Sequence, residues 1–351
     1  MRRGSTGRIK SLINERKRSV LFGGPRLEML LMLDYLRTGF RRGRPPRPRM
    51  IQLEPTRNCN LDCCMCIREK VKGDASMDLV FFRKIISRDF NYRHFLLLYG
   101  QGEPFLARDL FRMIRFERDL GNYVTTVTNG TVVDTDVCRQ ILHSGLNMLR
   151  ISVDGASEST YDSVRRGASF RQVVRNVETL ARFLRDERAG TKLALTFMAL
   201  RENYREMPDL VSLASDLGIR YLEIKDLPPY LDSPVKPLAL EIQEDLNLKH
   251  DLAQVLQKME SEAGRKGVAI IKTKFHCSSG TNKCRNPWFK TFITWDGKVT
   301  LCSRLYGPPA PTLGDLNQSA FAEIWNGPIY QSVRARLKVG IPPLDRCRTS
   351  L

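Results

Sequence analysis

Nothing in this chain of 351 residues is built to cross a membrane as a helix, since it has no run of about 18 apolar residues. Its N-terminus lacks the apolar stretch and small-residue cleavage site of a secretory signal. There is no internal repeat, which excludes a solenoid or propeller array. Acidic residues are scarce: 38 Asp and Glu stand against 57 Lys and Arg, a net charge of +19. No nucleic-acid recognition motif accompanies that charge, so no nucleic-acid partner is expected. A disulfide framework is also excluded. Nine cysteines is an odd number, and four of them crowd into positions 59–66. That usage fits a reducing, cytoplasmic location.

What is present is unevenly placed. The apolar fraction of 42% is enough for an ordinary core. Residues 1–49 hold fourteen Lys or Arg against three acids, a net of +11 that leaves only +8 for the rest. This basic arm contains a short apolar helix candidate, Leu27 to Leu36, followed by Arg37, Arg41, Arg42, Arg44, Arg47 and Arg49. Three readings stay open: an interfacial helix on anionic lipid, peripheral to a membrane; a clamp for an acidic or phosphorylated substrate; or a helix packed on the next domain with a solvated linker.

Beyond the arm and a short strand pattern at 50–54 comes Cys-Asn-Leu-Asp-Cys-Cys-Met-Cys. Read as C-x3-C-x2-C, it puts the thiols of Cys59, Cys63 and Cys66 on one tight loop. A 4Fe–4S cluster normally takes four cysteines, so a set of three leaves one iron open to another ligand. The competing metal, zinc, usually uses two separated ligand pairs. Cys64 lies outside the spacing and reads as a small neighbour in the loop.

This pattern resembles the defining motif of the radical S-adenosylmethionine (SAM) enzymes. The resemblance implies that Cys59, Cys63 and Cys66 hold a 4Fe–4S cluster whose free iron chelates the amino and carboxylate groups of SAM. It also implies reductive cleavage of SAM to a 5′-deoxyadenosyl radical, and an electron donor such as flavodoxin or ferredoxin.

The chain beyond the cysteines alternates strand and helix patterns. Strands are expected at 50–54, 95–99, 123–127, 148–153, 193–200 and 221–224, with helices such as 170–184 between them. Alternation of this kind implies a parallel sheet with right-handed crossovers. Six strands agree with the partial (β/α)6 TIM-like barrel of the family, with catalytic loops at one face. The expected division is a basic arm at 1–49, the barrel at 50–226, a linker and helix at 227–276, and an auxiliary domain at 277–351.

Motifs stand at the strand ends. Gly100-Gln101-Gly102-Glu103-Pro104 resembles the family's GGEP segment, with Gln101 in place of a glycine; bare glycines would admit a ligand close to the backbone. By resemblance it meets the amino group of SAM, with Glu103 a nearby carboxylate. Ser152-Val153-Asp154-Gly155 resembles the fourth-strand SxDG segment, so Ser152 would contact SAM and Asp154 would face the reaction chamber. Arg165 stands where an arginine pairs with the SAM carboxylate. Thr128-Asn129-Gly130 matches the third strand's ending. Asp226, Tyr230 and Asp232 either line the substrate pocket or belong to a proline-stiffened linker.

Near the C-terminus, Cys284 leads through Pro287 and Trp288 into a hairpin with an Asp296-Gly297 turn that ends at Cys302. With Trp325-Asn326 and a helix to Leu337, this resembles the SPASM/twitch extension, a small α+β auxiliary domain. A second, auxiliary 4Fe–4S cluster is implied, held by Cys277, Cys284, Cys302 and Cys347. Ser350 stands where the pattern has a cysteine, so the fourth ligand is Cys277, Ser350 or an open site. The cysteine count favours one auxiliary cluster. Cys138, in a helical pattern, reads as core.

The expected function is hydrogen-atom abstraction from a substrate carbon of a small natural-product or carbohydrate-type molecule. Dehydrogenation, epimerisation, decarboxylation or carbon–carbon bond formation would follow. A peptide- or protein-modifying maturase is the alternative; the N-terminal arm looks too short for a leader-binding domain. In another class altogether stands a non-catalytic iron–sulfur or zinc protein.

Overall fold

The computed structural model describes residues 45, 47–68, 70–227, 235–240, 245–272, 284, 286–302 and 312–341. The helix candidate at 27–36, Tyr230, Asp232, Cys277, Cys347 and Ser350 lie outside them.

Strands β1 (Met50–Leu53), β2 (Phe95–Leu98), β3 (Tyr123–Thr128), β4 (Met148–Ser152), β5 (Lys192–Ala199) and β6 (Tyr221–Asp226) run parallel and in sequence order. Each expected strand is present, with ends displaced by one or two residues. Helices α1 (Leu79–Asp89), α2 (Leu110–Asp119), α3 (Thr135–Ser144), α4 (Glu158–Val164), α5 (Phe170–Asp186) and α6 (Met207–Asp216) fill the crossovers. Polar caps set several helix starts: Asp78 accepts from Phe81 N–H and Asp134 from Val137 N–H, satisfying donors that a first turn leaves open.

The 227–276 stretch holds a strand besides the expected linker and helix. After the long helix α7 (Leu246–Lys266), β7 (Ala269–Lys272) adds a seventh parallel strand beside β6. Its apolar run is only about four residues, which periodicity alone does not separate from a helix end. Gly267, in a left-handed conformation (φ 67°), ends α7 and turns the chain into it.

The auxiliary segment continues the same sheet. Beyond the short α8 (Asn286–Phe289), β8 (Lys290–Ile293) pairs parallel to β1, Met50 opposite Lys290. Strands β9 (Lys298–Thr300) and β10 (Thr312–Asp315) follow antiparallel. Among the described residues the order is β10-β9-β8-β1-β2-β3-β4-β5-β6-β7, an open ten-stranded sheet. Helices α9 (Phe321–Asn326) and α10 (Pro328–Lys338) close the segment. Arg334 stitches it together from inside: Nε donates to Pro287 O at 2.8 Å and Nη1 to Trp325 O at 2.7 Å, with its guanidinium over the Trp325 ring.

Alternation along the strands sorts the two faces. Ile51, Leu53, Leu96, Leu98, Leu149 and Ile151 belong to the main apolar core with residues of the helices. Cys138 is fully buried in that core, as its helical position implies. The opposite face carries Gln52, Thr125, Arg150, Thr196 and Glu223, all buried polar side chains. A polar interior of this kind needs a use, since burying such groups costs stability unless they are satisfied.

Candidate metal centre

Pro55 ends β1, and the chain leaves the sheet into the cysteine loop. The loop is tied at each end. Arg57 N–H donates to Ala75 O and Met77 N–H to Pro55 O, both at 2.9 Å. Farther along, Asp62 N–H donates to Arg166 O and Cys64 N–H to Val164 O, both at 3.0 Å. These two bonds moor the loop to the C-terminal end of α4. Cys66 N–H closes a turn onto Cys63 O at 3.0 Å.

Cys59 and Cys63 are half-buried and Cys66 is exposed. Burial pushes the Cys59 thiol up and the Cys63 thiol up to about 11; the negative charge of Cys66 adds to both. Three thiols on one loop within electrostatic reach of each other repel as thiolates. A cationic metal centre removes that repulsion and deprotonates its ligands outright. The donor set therefore fits an iron–sulfur cluster. Among the described residues no three such groups are already drawn to ligating distance. Cys64 points elsewhere, packing with Met65 and Ile67 against Val164 and Leu200.

The rim opposite Cys63 comes from β4 and α4. Asp154, buried, accepts from Arg165 Nε at 2.6 Å and from Met198 N–H at 2.7 Å. Arg165 Nη1 lies 3.8 Å from Cys63 Sγ. Burial works against the Arg165 charge, but Asp154 and Cys63 outweigh it and hold its pKa above the ordinary value. Ser152 is buried at the end of β4, level with Thr196 on β5.

The Gly100–Glu103 segment serves the loop itself. A side chain at Gly100 would collide with Glu54, and one at Gly102 with the backbone of Thr56 and Asn58. The bare positions are thus filled by the protein. Glu103 turns both carboxylate oxygens inward, accepting from Phe105 N–H at 3.1 Å and Asn129 N–H at 2.6 Å. Its own N–H donates to Asn58 O at 2.8 Å. Burial raises its pKa, against these hydrogen bonds. Gln101 N–H is held by Glu54 Oε1 at 2.9 Å. Asn129 reaches Asn60 at 2.9 Å, tying the third strand's ending to the cysteine loop.

Several positioning residues escaped the motif reading. Glu54 is buried between the Gly100 loop and the β8–β9 turn, and burial lifts its pKa to about 7. Glu206 accepts from Ala156 N–H at 2.6 Å and Ser157 Oγ–H at 2.7 Å, and Asn203 donates to Asp154 O at 3.0 Å. Both act on a loop about fifty residues away, so no local pattern marks them. For Glu54 the signal was a lone acid between β1 and Pro55.

At the other end of the sheet, Cys284 and Cys302 are half-buried and both pack against the main core. Gly297, φ 85°, makes the hairpin turn between them as an Asp-Gly sequence requires.

Comparison with known proteins identifies two domains. Residues 53–214 match the model of the Radical SAM superfamily, and residues 284–349 that of the SPASM iron–sulfur cluster-binding domain. The chain carries a Radical SAM domain and, at its C-terminal end, a SPASM iron–sulfur domain. It is 25% identical over 314 residues to an AdoMet-dependent heme synthase of Methanosarcina barkeri, covering 82% of this chain and 85% of that one. A PqqA peptide cyclase of Gluconobacter oxydans is 23% identical over 300 residues, covering 83% and 80%. Among solved structures, Streptococcus suis SuiB superposes with a TM-score of 0.65 at 14% identity, over 94% of this chain and 79% of that one. In the SAM-bound form of SuiB, the chain spans 66% of the length. The AdoMet-bound anSMEcpe gives 0.61 at 17% identity, over 82% of each. At such identities the structures speak for the fold, a radical SAM partial barrel with a C-terminal extension. Its cofactors are a 4Fe–4S cluster and SAM, with further iron–sulfur clusters in the SPASM domain. Among the described residues no helix is long and apolar enough to cross a membrane.

Proposed function

We propose that this chain cleaves SAM reductively and uses the product to remove a hydrogen atom from a substrate carbon. The observation that carries the reading is the meeting of three cysteines on one moored loop with the Asp154–Arg165 pair beside Cys63. Cys59, Cys63 and Cys66 would hold the SAM-binding cluster. Bound SAM with a reduced cluster supplies the 5′-deoxyadenosyl radical. Arg165, pinned by Asp154, would present its remaining guanidinium edge to the SAM carboxylate. Since the Glu103 oxygens are engaged by Asn129 and Phe105, contact with the SAM amino group falls to the backbone of Gly100, Gln101 and Gly102. Ser152 would meet SAM from β4.

Cys284 and Cys302, with Cys277 and Cys347, would hold the auxiliary cluster. Such a centre can take an electron from the substrate radical. The electron donor would be a flavodoxin or ferredoxin. It would meet the face beside Cys59, where a cleft of about 560 Å³ is lined by Arg68, Lys70 and Arg166.

A small natural-product or carbohydrate-type substrate is one reading. A peptide substrate is the second, favoured by the PqqA peptide cyclase among the relatives and by SuiB, solved with its precursor peptide. The test is 5′-deoxyadenosine formation from SAM and dithionite by the anaerobically reconstituted protein. Wild-type chain should form it and the Cys63→Ala chain should not. Cleavage that persists in Cys63→Ala would refute the ligand assignment, and a protein that binds zinc but no iron would refute the function.

A further inference from the structure

The pole of the barrel away from the cysteine loop is strongly basic. Strands β1 to β7 run parallel, so their N-terminal ends and the loops that enter them share one edge of the sheet. Arg47 stands before β1, Arg93 before β2, and Arg220 before β6. Arg185, Arg188 and Lys192 surround the entry to β5. All six are exposed. The edge from β1 to β6 spans roughly 24 Å at one strand spacing each. Arg188 holds a left-handed turn (φ 50°), an uncommon conformation for any residue with a side chain.

Few acids answer them. Asp89, Asp119, Asp216 and Glu262 at the same pole pair with Arg88, Arg115, Lys266 and Arg265, and Glu117 is buried against His94. That leaves Asp186 and Glu187, and among the described residues none of the six cations pairs with a carboxylate. The sequence adds to the imbalance. Residues 1–44, which precede Arg47 in the chain, hold twelve Lys or Arg against Glu15, Glu28 and Asp34. An apolar group stands among the cations: Leu120 is 46% exposed ahead of β3, beside a cleft of about 340 Å³ that Phe90, Tyr92 and Arg93 also line. Tyr92 itself is occupied, with Arg47 and Arg49 each 5.4 Å from its ring.

We propose that this pole is a docking surface for an anionic membrane leaflet. Basic groups along one edge each raise partition onto such a leaflet about fivefold. Leu120 and the apolar pattern from Leu27 to Leu36 supply the hydrophobic part of an interfacial contact. A nucleic acid would meet the same charge, but single strands also need aromatic faces to stack on, and the Tyr92 ring is covered by arginines. With this pole seated on lipid, the cysteine loop at the far end of β1 faces away from it. Substrate and electron donor then reach the rim from solvent. The surface is independent of the radical chemistry, since none of its residues touches the cysteine loop or the Asp154–Arg165 pair.

The test is anaerobic flotation of the reconstituted holoenzyme with vesicles of phosphatidylcholine, alone or with about 30% phosphatidylglycerol as the anionic lipid. The chain should float with the anionic vesicles only, and high salt should release it. The double variant Arg188→Gln with Arg220→Gln should weaken partition about 25-fold, at about fivefold per basic residue. A second double variant, Arg112→Gln with Arg139→Gln, removes the same charge from exposed, ion-paired positions on α2 and α3 toward the opposite pole. It should leave partition unchanged. Matching melting temperatures of the two variants show that folding is not the cause. Equal binding to both vesicle types, equal loss in both variants, or no loss in either would overturn the surface. Tighter binding of a thymidine oligonucleotide than of anionic vesicles at the same salt would overturn its assignment to lipid.

Discussion

Arg165 Nε donates to Asp154 Oδ2 at 2.6 Å while its Nη1 lies 3.8 Å from Cys63 Sγ. One guanidinium therefore joins the end of the fourth strand to the cysteine loop. Asp154 in turn is fixed by Met198 N–H, so the arginine has one place to be. Asp154→Asn weakens this charge-assisted bond without changing size. We expect 5′-deoxyadenosine formation to fall about 10- to 100-fold with iron content retained, the range for residues that orient a metal site's surroundings. Unchanged rates would show that Asp154 does not position Arg165.

The neighbouring cysteines should behave differently. Cys63→Ala should lose the iron of the SAM-binding site, about four per chain. Cys64→Ala should keep it, because Cys64 packs against Val164 and Leu200. Iron analysis and the electron paramagnetic resonance of the reduced protein separate the two outcomes.

Cys284→Ala or Cys302→Ala should lower iron by about four per chain while SAM cleavage continues. The SAM-binding trio stands on a separate loop. If either substitution instead abolished cleavage with full iron retained, the auxiliary ligand assignment would fail.

Glu54 gives stability a dependence on pH. Burial raises its pKa from the ordinary 4.5 to about 7, against the pull of Gln101 N–H and Arg57. Between those values the folded chain keeps a proton that the unfolded chain has released. The contribution is thus full below pH 4.5 and is lost as pH rises through about 7. Glu54→Gln keeps an oxygen for Gln101 N–H and removes the charge. It should stabilise the protein by up to about 3 kcal/mol above pH 7 and little at pH 5. Anaerobic melting at pH 5.5 and 8 measures this, and an equal Tm shift at both would contradict it.

Gly102→Ala should displace the cysteine loop, since its Cβ would strike the carbonyls of Thr56 and Asn58. Overpacking of this kind costs about 1–3 kcal/mol. Slower cluster incorporation at unchanged secondary structure is the expected result. Full incorporation at the wild-type rate would show that the loop yields.

Much of this was written along the chain. The six strands read from β-branched and apolar runs are all present, because each is buried on both sides and bounded by turn residues. The Asp-Gly hairpin was equally legible, its turn chemistry being local. The seventh strand was not, since four apolar residues after a helix carry no period of their own. Nor was the joining of the auxiliary segment to the barrel through β8 and β1, a pairing across some 240 positions that no local pattern encodes.

The sequence by itself determined the chemistry available: three thiols at a cluster's spacing, a parallel α/β order, and charge concentrated ahead of the barrel. Only the tertiary structure decided how those groups are used. It turned Glu103 inward onto Asn129, filled the space at Gly100 and Gly102 with the protein's own atoms, and set Arg165 between Asp154 and Cys63. It also set Arg150 and Lys225, from two strands, against one Glu223. The physical reason is common to all four: spacing along the chain fixes which groups are neighbours on one loop, whereas the pairing of charges across strands depends on register and burial.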